Sequence, residues 1–269
     1  DLIRSGRVEA VRLTEIFRQA SQSLIVMNAH AVNHGELPVL NRTDRDFFFL
    51  RRRDPEAVVQ TIAQLCQTRL PKNMGIPATE IQVLSPTRKG ETGTKNLNLA
   101  LQAVLNPPAA GKKEKRYGDF SFREGDRVMQ IRNNYDILWK NPNGLGAGTG
   151  IFNGDIGVIV QIDYETELVT VDFDDKRAEY AFDLLGELEP AYAMTIHKSQ
   201  GSEYRAVILS AFAGSPYLLT RSVLYTAITR ARELLIVVGD EEVLAAMVRN
   251  DRRQKRYSGL KLRLEEGTA

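Results

Sequence analysis

Two textures of hydrophobic patterning alternate along the chain. Up to about residue 106, short apolar runs alternate with segments of helical period. "VEAVRLT" at 8–14 reads as a strand. "SQSLIVMNAHAVNHG" at 21–35 follows as a helix, with serine near its start and Gly35 as its stop signal. "DFFFL" at 46–50 is a buried strand. "DPEAVVQTIAQLCQTRL" at 54–70 opens a helix with Asp54 as N-cap and Pro55 in the first helical position. "EIQVLSPT" at 80–87 is a strand ending in a turn, and "TKNLNLALQAVLNP" at 94–107 is a helix stopped by Pro107. Strand and helix in alternation predict an α/β fold with a largely parallel sheet.

From 107 to 189 the helical period disappears. "PPAAGKKEKRYGD" at 107–119 reads as a linker. "FREGDRVMQIRN", "NGDIGVIVQIDYE" and "ELVTVDF" read as short alternating strands joined by Gly, Asn and Asp turns. They predict a small antiparallel β-barrel of about 70–80 residues, at the lower end of domain size. "WKNPNGLGAGTG" at 139–150 reads as a glycine-rich hairpin tip or loop. After 190 the α/β texture returns. "AYAMTIHKSQGSEYRAVILSA" holds a strand, a polar turn and a second strand; "LTRSVLYTAITRAR" is a helix, "ELLIVVG" a strand and "EEVLAAMVRN" a final helix. The simplest organisation is one discontinuous α/β domain, 1–106 plus 190–269, with the barrel inserted at 107–189.

Composition narrows the class. With 43% hydrophobic and 26% charged residues, the chain is of ordinary globular make-up. The net charge is only +2, yet basic runs stand at 51–53, 112–116 and 249–263. Each run fits a solvated face as well as a polyanionic partner. One cysteine, Cys66, excludes an intrachain disulfide, suits a reducing cytoplasm and sits at core spacing in its helix. No apolar run approaches the ~20 residues of a membrane span.

Several motifs fall short of chemistry. "GETGTKN" at 90–96 lacks the spacing of a phosphate loop, and Asn96 stands where a metal-binding hydroxyl is needed. "LLIVVGDEE" imitates a magnesium-holding strand but reads better as a strand before a capped helix, and "GLGAGTG" fits no dinucleotide fingerprint. His30, His34 and His197 are too scattered for zinc, so no metal ligands are assigned. Three segments carry more. "RLTEIFRQA" puts Arg18 just beyond a strand, at the carboxyl edge where open α/β sheets bind ligands. "TIHKSQGSEY" gathers Thr195, His197, Lys198, Ser199, Gln200 and Glu203 between two apolar strands, a set suited to phosphate-backbone contacts, although a polar connection with local caps would look alike. "AITRAR" places Arg230 and Arg232 about 200° apart on a helix, so only one of them can face a given partner.

In this order the segments resemble the second motor domain of superfamily 1 helicases, most of all the RecD-like, 5′-to-3′ branch of exodeoxyribonuclease V alpha-subunit type. "LTEIFRQA" looks like motif IV, "TIHKSQGSEY" like motif V and "LYTAITRAR" like motif VI; "VLSPTRKGETGTKNLN" is similar to a DNA-contacting segment. The barrel is similar to the SH3-like insertion of these helicases. The resemblance implies a RecA-like parallel sheet with helices on both faces. It implies that ATP and Mg2+ are held by an N-terminal motor domain, and that this chain reaches the γ-phosphate with Arg18 and Arg230. Glu203 would lie near the nucleotide sugar, and Arg232 would be structural. Ser85, Pro86, Thr87 and Arg88, with Thr195, His197 and Ser199, would follow single-stranded DNA. No phosphate loop stands in the chain, so the expectation is the C-terminal half of a helicase, inactive and without cofactor on its own. Partners implied are single-stranded DNA, the N-terminal motor domain and other subunits of a nuclease complex. The alternative is an ATP-independent single-strand-binding or protein-interaction module; an aromatic content of 7% without basic–aromatic interleaving disfavours a pure binding module.

Overall fold

The apolar strands after residue 190 have two oily faces, and that dictates layers on both sides. The computed structural model describes residues 2–11, 23–42, 44–144, 146–212, 214–252 and 259–266. Its parallel sheet has the order β1 (Phe47–Arg51), β14 (Ala231–Gly239), β13 (Tyr204–Ala211), β2 (Ile81–Ser85), β12 (Ala193–Thr195). Because side chains alternate along a strand, Ala206, Ile208, Leu234, Ile236 and Val238 enter one core cluster. Val207, Leu209, Leu235 and Val237 enter the other. Helices α3 (Pro55–Gln64) and α5 (Thr94–Leu105) cover the first face; α2 (Leu24–His34), α6 (Arg221–Ile228) and α7 (Glu241–Arg249) cover the second. Each fully buried Val, Ile or Leu contributes about 1.5–3 kcal/mol against exposure, so the two clusters hold the three layers together.

Local chemistry sets the helix ends. Asp54 accepts a hydrogen bond from the Ala57 amide at 2.7 Å, and Pro55 occupies the first turn. Ser23 caps α2, with Asp46 accepting from the Leu24 amide at 2.8 Å, and Gly35 ends the helix at φ 85°. The helix begun at Pro55 runs through a π-type turn, Leu65–Arg69, into α4 (Leu70–Met74). Cys66 lies inside that turn with 2% exposure, and burial pushes its thiol up to about 12.

The second sheet is antiparallel, in the order β11 (Leu188–Pro190), β5 (Arg127–Gln130), β8 (Ile156–Asp163), β9 (Leu168–Phe173), β10 (Lys176–Ala181), β6 (Asn134–Lys140), β7 (Ala147–Ile151). Leu188 of one end strand and Ile151 of the other share a single apolar cluster. A flat seven-stranded sheet could not bring them together, so the sheet curls round its own core. A hairpin, β3 (Glu114–Tyr117) and β4 (Phe120–Arg123), precedes it.

Four expectations are corrected. Residues 8–11 form no strand, and 12–14 lie outside the described residues. The end of the expected linker forms β3, because Glu114–Tyr117 pairs with Phe120–Arg123. The glycine-rich stretch does form the expected hairpin connection, but its last part is a strand, β7, paired with β6. Finally, α6 stops at Ile228; Thr229 closes it, and Arg232 belongs to β14. The arginine pair is therefore not on one helix. Two short helices, α1 (Leu2–Ser5) and α8 (Leu260–Glu266), meet near the Arg7 side chain, which donates to the Glu265 carbonyl at 2.9 Å.

The chain crosses between the sheets twice, and both crossings converge on Asp126, which is fully buried. One carboxylate oxygen accepts from Asn106 Nδ2 at 2.7 Å and from the Tyr192 hydroxyl at 2.9 Å. The other accepts from Gln102 Nε2 at 2.6 Å and from the Arg123 amide at 2.7 Å. Burial raises this carboxyl above the ordinary range, and the four donors offset part of that rise.

Candidate functional site

Strand register sorts the candidate residues into two groups. Tyr204 pairs with Ala231, so Glu203 and Arg230 stand side by side at the amino-terminal edge of the parallel sheet. Thr195 pairs with Ser85 at the carboxyl-terminal edge. Leu84 is level with Leu209, so Ser85 is level with Ser210, six strand residues beyond Tyr204. At ~3.3 Å per residue the two groups are on the order of 20 Å apart. The carboxyl edge is thus not the place of Arg230. Arg18 lies outside the described residues.

At the amino edge, the turn after α6 presents Arg230 half-buried. Its Nη1 donates to the Ser202 carbonyl at 2.8 Å, its Nε to the Thr226 carbonyl at 3.3 Å and its Nη2 to the Thr229 hydroxyl at 3.2 Å. The Arg230 carbonyl in turn accepts from the Tyr204 amide at 2.9 Å, which fixes the turn to the start of β13. Every acceptor of the guanidinium is neutral, and among the described residues no carboxylate pairs with it. Glu203 is exposed beside it, and Arg232 is exposed on β14.

At the carboxyl edge the chain uses its hydroxyls differently from expectation. Ser85 is buried; its hydroxyl donates to the Thr92 carbonyl at 3.0 Å and accepts from the Thr87 amide at 3.2 Å. Ser199 is buried too and donates to the Ile196 carbonyl at 2.8 Å. Pro86 is also buried. These three shape the two turns and offer a ligand no free side chain. Arg88 and His197 are exposed, and Thr87 and Thr195 are half-buried. Arg88 and Lys198 converge on one carboxylate: Arg88 Nη2 lies 2.6 Å from one oxygen of Glu189 and Lys198 Nζ 2.7 Å from the other. Glu189 comes from β11 of the antiparallel sheet, and nothing in its sequence surroundings signals this role. The "GETGTKN" stretch serves as the turn into α5, where the Thr94 and Lys95 amides donate to the carbonyls of Thr87 and Arg88 at 3.0 and 3.1 Å.

Two family models match the chain. The ATP-dependent RecD-like DNA helicase SH3 domain covers residues 97–173, and the UvrD-like helicase C-terminal domain covers residues 190–238. The first match falls on the curled antiparallel sheet and the second on the parallel sheet with its motif-bearing turns, so the chain is similar to a helicase C-terminal region with an SH3-type module. Within that class the chain is similar in sequence to RecD-like helicases. It is 32% identical over 229 residues to the ATP-dependent RecD2 DNA helicase of Deinococcus radiodurans, covering 85% of this chain and 28% of that protein. It is 39% identical over 191 residues to the RecBCD enzyme subunit RecD of Mycobacterium tuberculosis, covering 69% of this chain and 29% of that protein. The chain therefore spans less than a third of the length of these relatives. Among solved structures, a Bacteroides Pif1 helicase in complex with ADP-AlF3 and single-stranded DNA aligns with 96% of this chain and 56% of its own, at 16% identity and TM-score 0.46.

Proposed function

We propose that this chain is the second motor portion of an ATP-dependent, 5′-to-3′ DNA helicase. In this reading it supplies Arg230, together with Arg18, to ATP and Mg2+ held by an N-terminal motor domain, and it grips single-stranded DNA at its opposite edge. The observation that carries the reading is the environment of Arg230: a half-buried guanidinium at a sheet edge whose three partners are carbonyls and a hydroxyl. A guanidinium buried to this extent and paired with a carboxylate would be hard to withdraw, unlike one in an exposed pair. One held by neutral acceptors can exchange them for phosphoryl oxygens, which a planar fork meets two at a time.

ATP, when bound, supplies the phosphoryl group whose transfer spreads charge over its oxygens. Arg230 contributes a fixed positive charge to that position when the two motor domains close. The Ser202 carbonyl and the Thr229 hydroxyl hold it in readiness. In this reading Glu203, exposed beside it, accepts hydrogen bonds from the sugar. Twenty or so ångströms away, Arg88, Thr195 and His197 face the strand, and Ser85, Pro86 and Ser199 set the shape of their turns. The single chain of residues 196–203 runs from one edge to the other, so movement of Arg230 against Ser202 is felt in the segment that grips DNA. Alternate closure and grip produce stepping; the RecD relatives are subunits of a RecBCD enzyme, and assembly with other subunits of a nuclease complex is the setting this reading favours.

The test is unwinding by the protein carrying this chain behind its N-terminal motor domain. Duplexes with a 5′ single-stranded tail are expected to open with ATP, and duplexes with only a 3′ tail are expected to stay closed. Opening of both to the same extent, or opening without ATP, contradicts the proposal.

A further inference from the structure

We infer that the joint between the two sheets is a pocket for one unpaired nucleotide of the DNA strand, its phosphate at Arg88 and Lys198 and its base against Tyr117 and Phe120. The inference rests on the single-strand track proposed above. A cavity of about 500 Å3 opens at this joint, bounded by α5, the β3–β4 hairpin, β11 and the end of β12. That is within the range of small-ligand sites. Its walls are largely apolar, with Leu99 from α5, Tyr117 and Phe120 from the hairpin, and the buried Met129 and Met194. Tyr117 is 40% exposed and Leu99 43% exposed, so two large apolar groups of the lining are open to solvent. The Tyr117 hydroxyl lies against Gly186, where an added Cβ would stand only 2.7 Å from it. Glycine at 186 is what lets the ring rest on that turn.

The rim gives the ligand its charge. Four cations, Arg88, Lys89, Lys95 and Lys198, border the cavity against two carboxylates, Asp119 and Glu189. Both carboxylates are already engaged: Glu189 bridges Arg88 and Lys198, and Asp119 pairs with Lys95 at 2.5 Å. In each pair the cation belongs to the parallel-sheet side and the acid to the hairpin or β11. Glu189, with one oxygen on each of two cations, reproduces what two non-bridging phosphate oxygens would do. It holds the position a backbone phosphate needs, and the rim keeps excess positive charge after this internal pairing. A strand entering the track exchanges Glu189 for a phosphate, and the adjoining base fills the apolar gap by stacking, which is tolerant of base identity.

The experiment measures binding of the chain by fluorescence anisotropy to two labelled ligands of equal length, an oligothymidylate and an abasic deoxyribose-phosphate oligomer. The abasic ligand is expected to bind about tenfold more weakly, the loss expected for one stacked base. Tyr117→Ala should lower affinity for oligothymidylate about tenfold and leave the abasic affinity unchanged, while Tyr117→Phe should retain both. Glu189→Gln should tighten both several-fold, and Arg88→Ala should weaken both and flatten the salt dependence. Equal affinities for the two ligands, with Arg88→Ala still weakening both, would overturn the pocket and leave the track standing. Absence of binding, or binding indifferent to Arg88→Ala and His197→Ala, would overturn both.

Discussion

Replacing Asp126 by alanine removes the carboxylate on which both crossings between the sheets converge. Four donors lose their acceptor. Two of them have a second one: Gln102 Nε2 also donates to the Ser121 carbonyl and Asn106 Nδ2 to the Glu124 carbonyl. The Tyr192 hydroxyl and the Arg123 amide are left buried without a partner. Each such orphan costs about 1–3 kcal/mol. The relief of a buried carboxylate's desolvation offsets part of this, so the net loss should be about 3 kcal/mol. Urea unfolding measures it, with two probes that report different sheets. Trp139, the one tryptophan, lies in the antiparallel sheet, and α2, α3, α5, α6 and α7, which flank the parallel one, dominate the far-ultraviolet dichroism. The two transitions should coincide in the parent chain and separate in Asp126→Ala. A loss below about 1 kcal/mol, with coincident transitions, would refute the role assigned to the joint. The pH dependence has a definite sign. The folded carboxyl holds its proton more tightly than the unfolded one, so its contribution to stability is full below the ordinary aspartate range and is lost as pH rises through the folded value. Asp126→Asn, which does not titrate, should lack that component.

Two further outcomes are expected. A Cβ at Gly239 would stand 1.8 Å from the Ala211 carbonyl oxygen, at a φ of 155°, so Gly239→Ala should cost about 2–4 kcal/mol and lower the thermal midpoint accordingly; an unchanged midpoint contradicts the packing of β13 on β14. Cys66, buried and with its thiol pushed up to about 12, should react with a thiol reagent at neutral pH only at the rate of global unfolding. Rapid labelling of the folded chain would contradict its place in the core.

Much of the layered sheet was legible because its signals are local. The Asp54–Pro55 start, the Gly35 stop and the two-faced apolar strands each follow from one stretch of chain. The edges were harder. Nothing in "AITRAR" shows that α6 ends at Ile228, because the helical spacing continues into residues that pair with β13 instead. Tertiary pairing outweighed local period there. Ser85 and Ser199 are legible as motif positions, but their burial is not, because burial depends on neighbours from elsewhere in the chain. Glu189 and Asp126 gave no signal at all: an isolated acid in a strand or a turn looks solvated until its partners, up to about a hundred positions away, are brought to it. The pocket at the joint was invisible for the same reason, since its walls come from α5, the hairpin and β11.

The most direct test of the central claim is DNA-stimulated ATP turnover by the protein carrying Arg230→Ala, measured beside its affinity for single-stranded DNA. Turnover is expected to fall by roughly 10³–10⁵, with DNA affinity near that of the parent. Turnover within tenfold of the parent, or a loss matched by lost DNA binding, would contradict the assignment of Arg230 to the nucleotide.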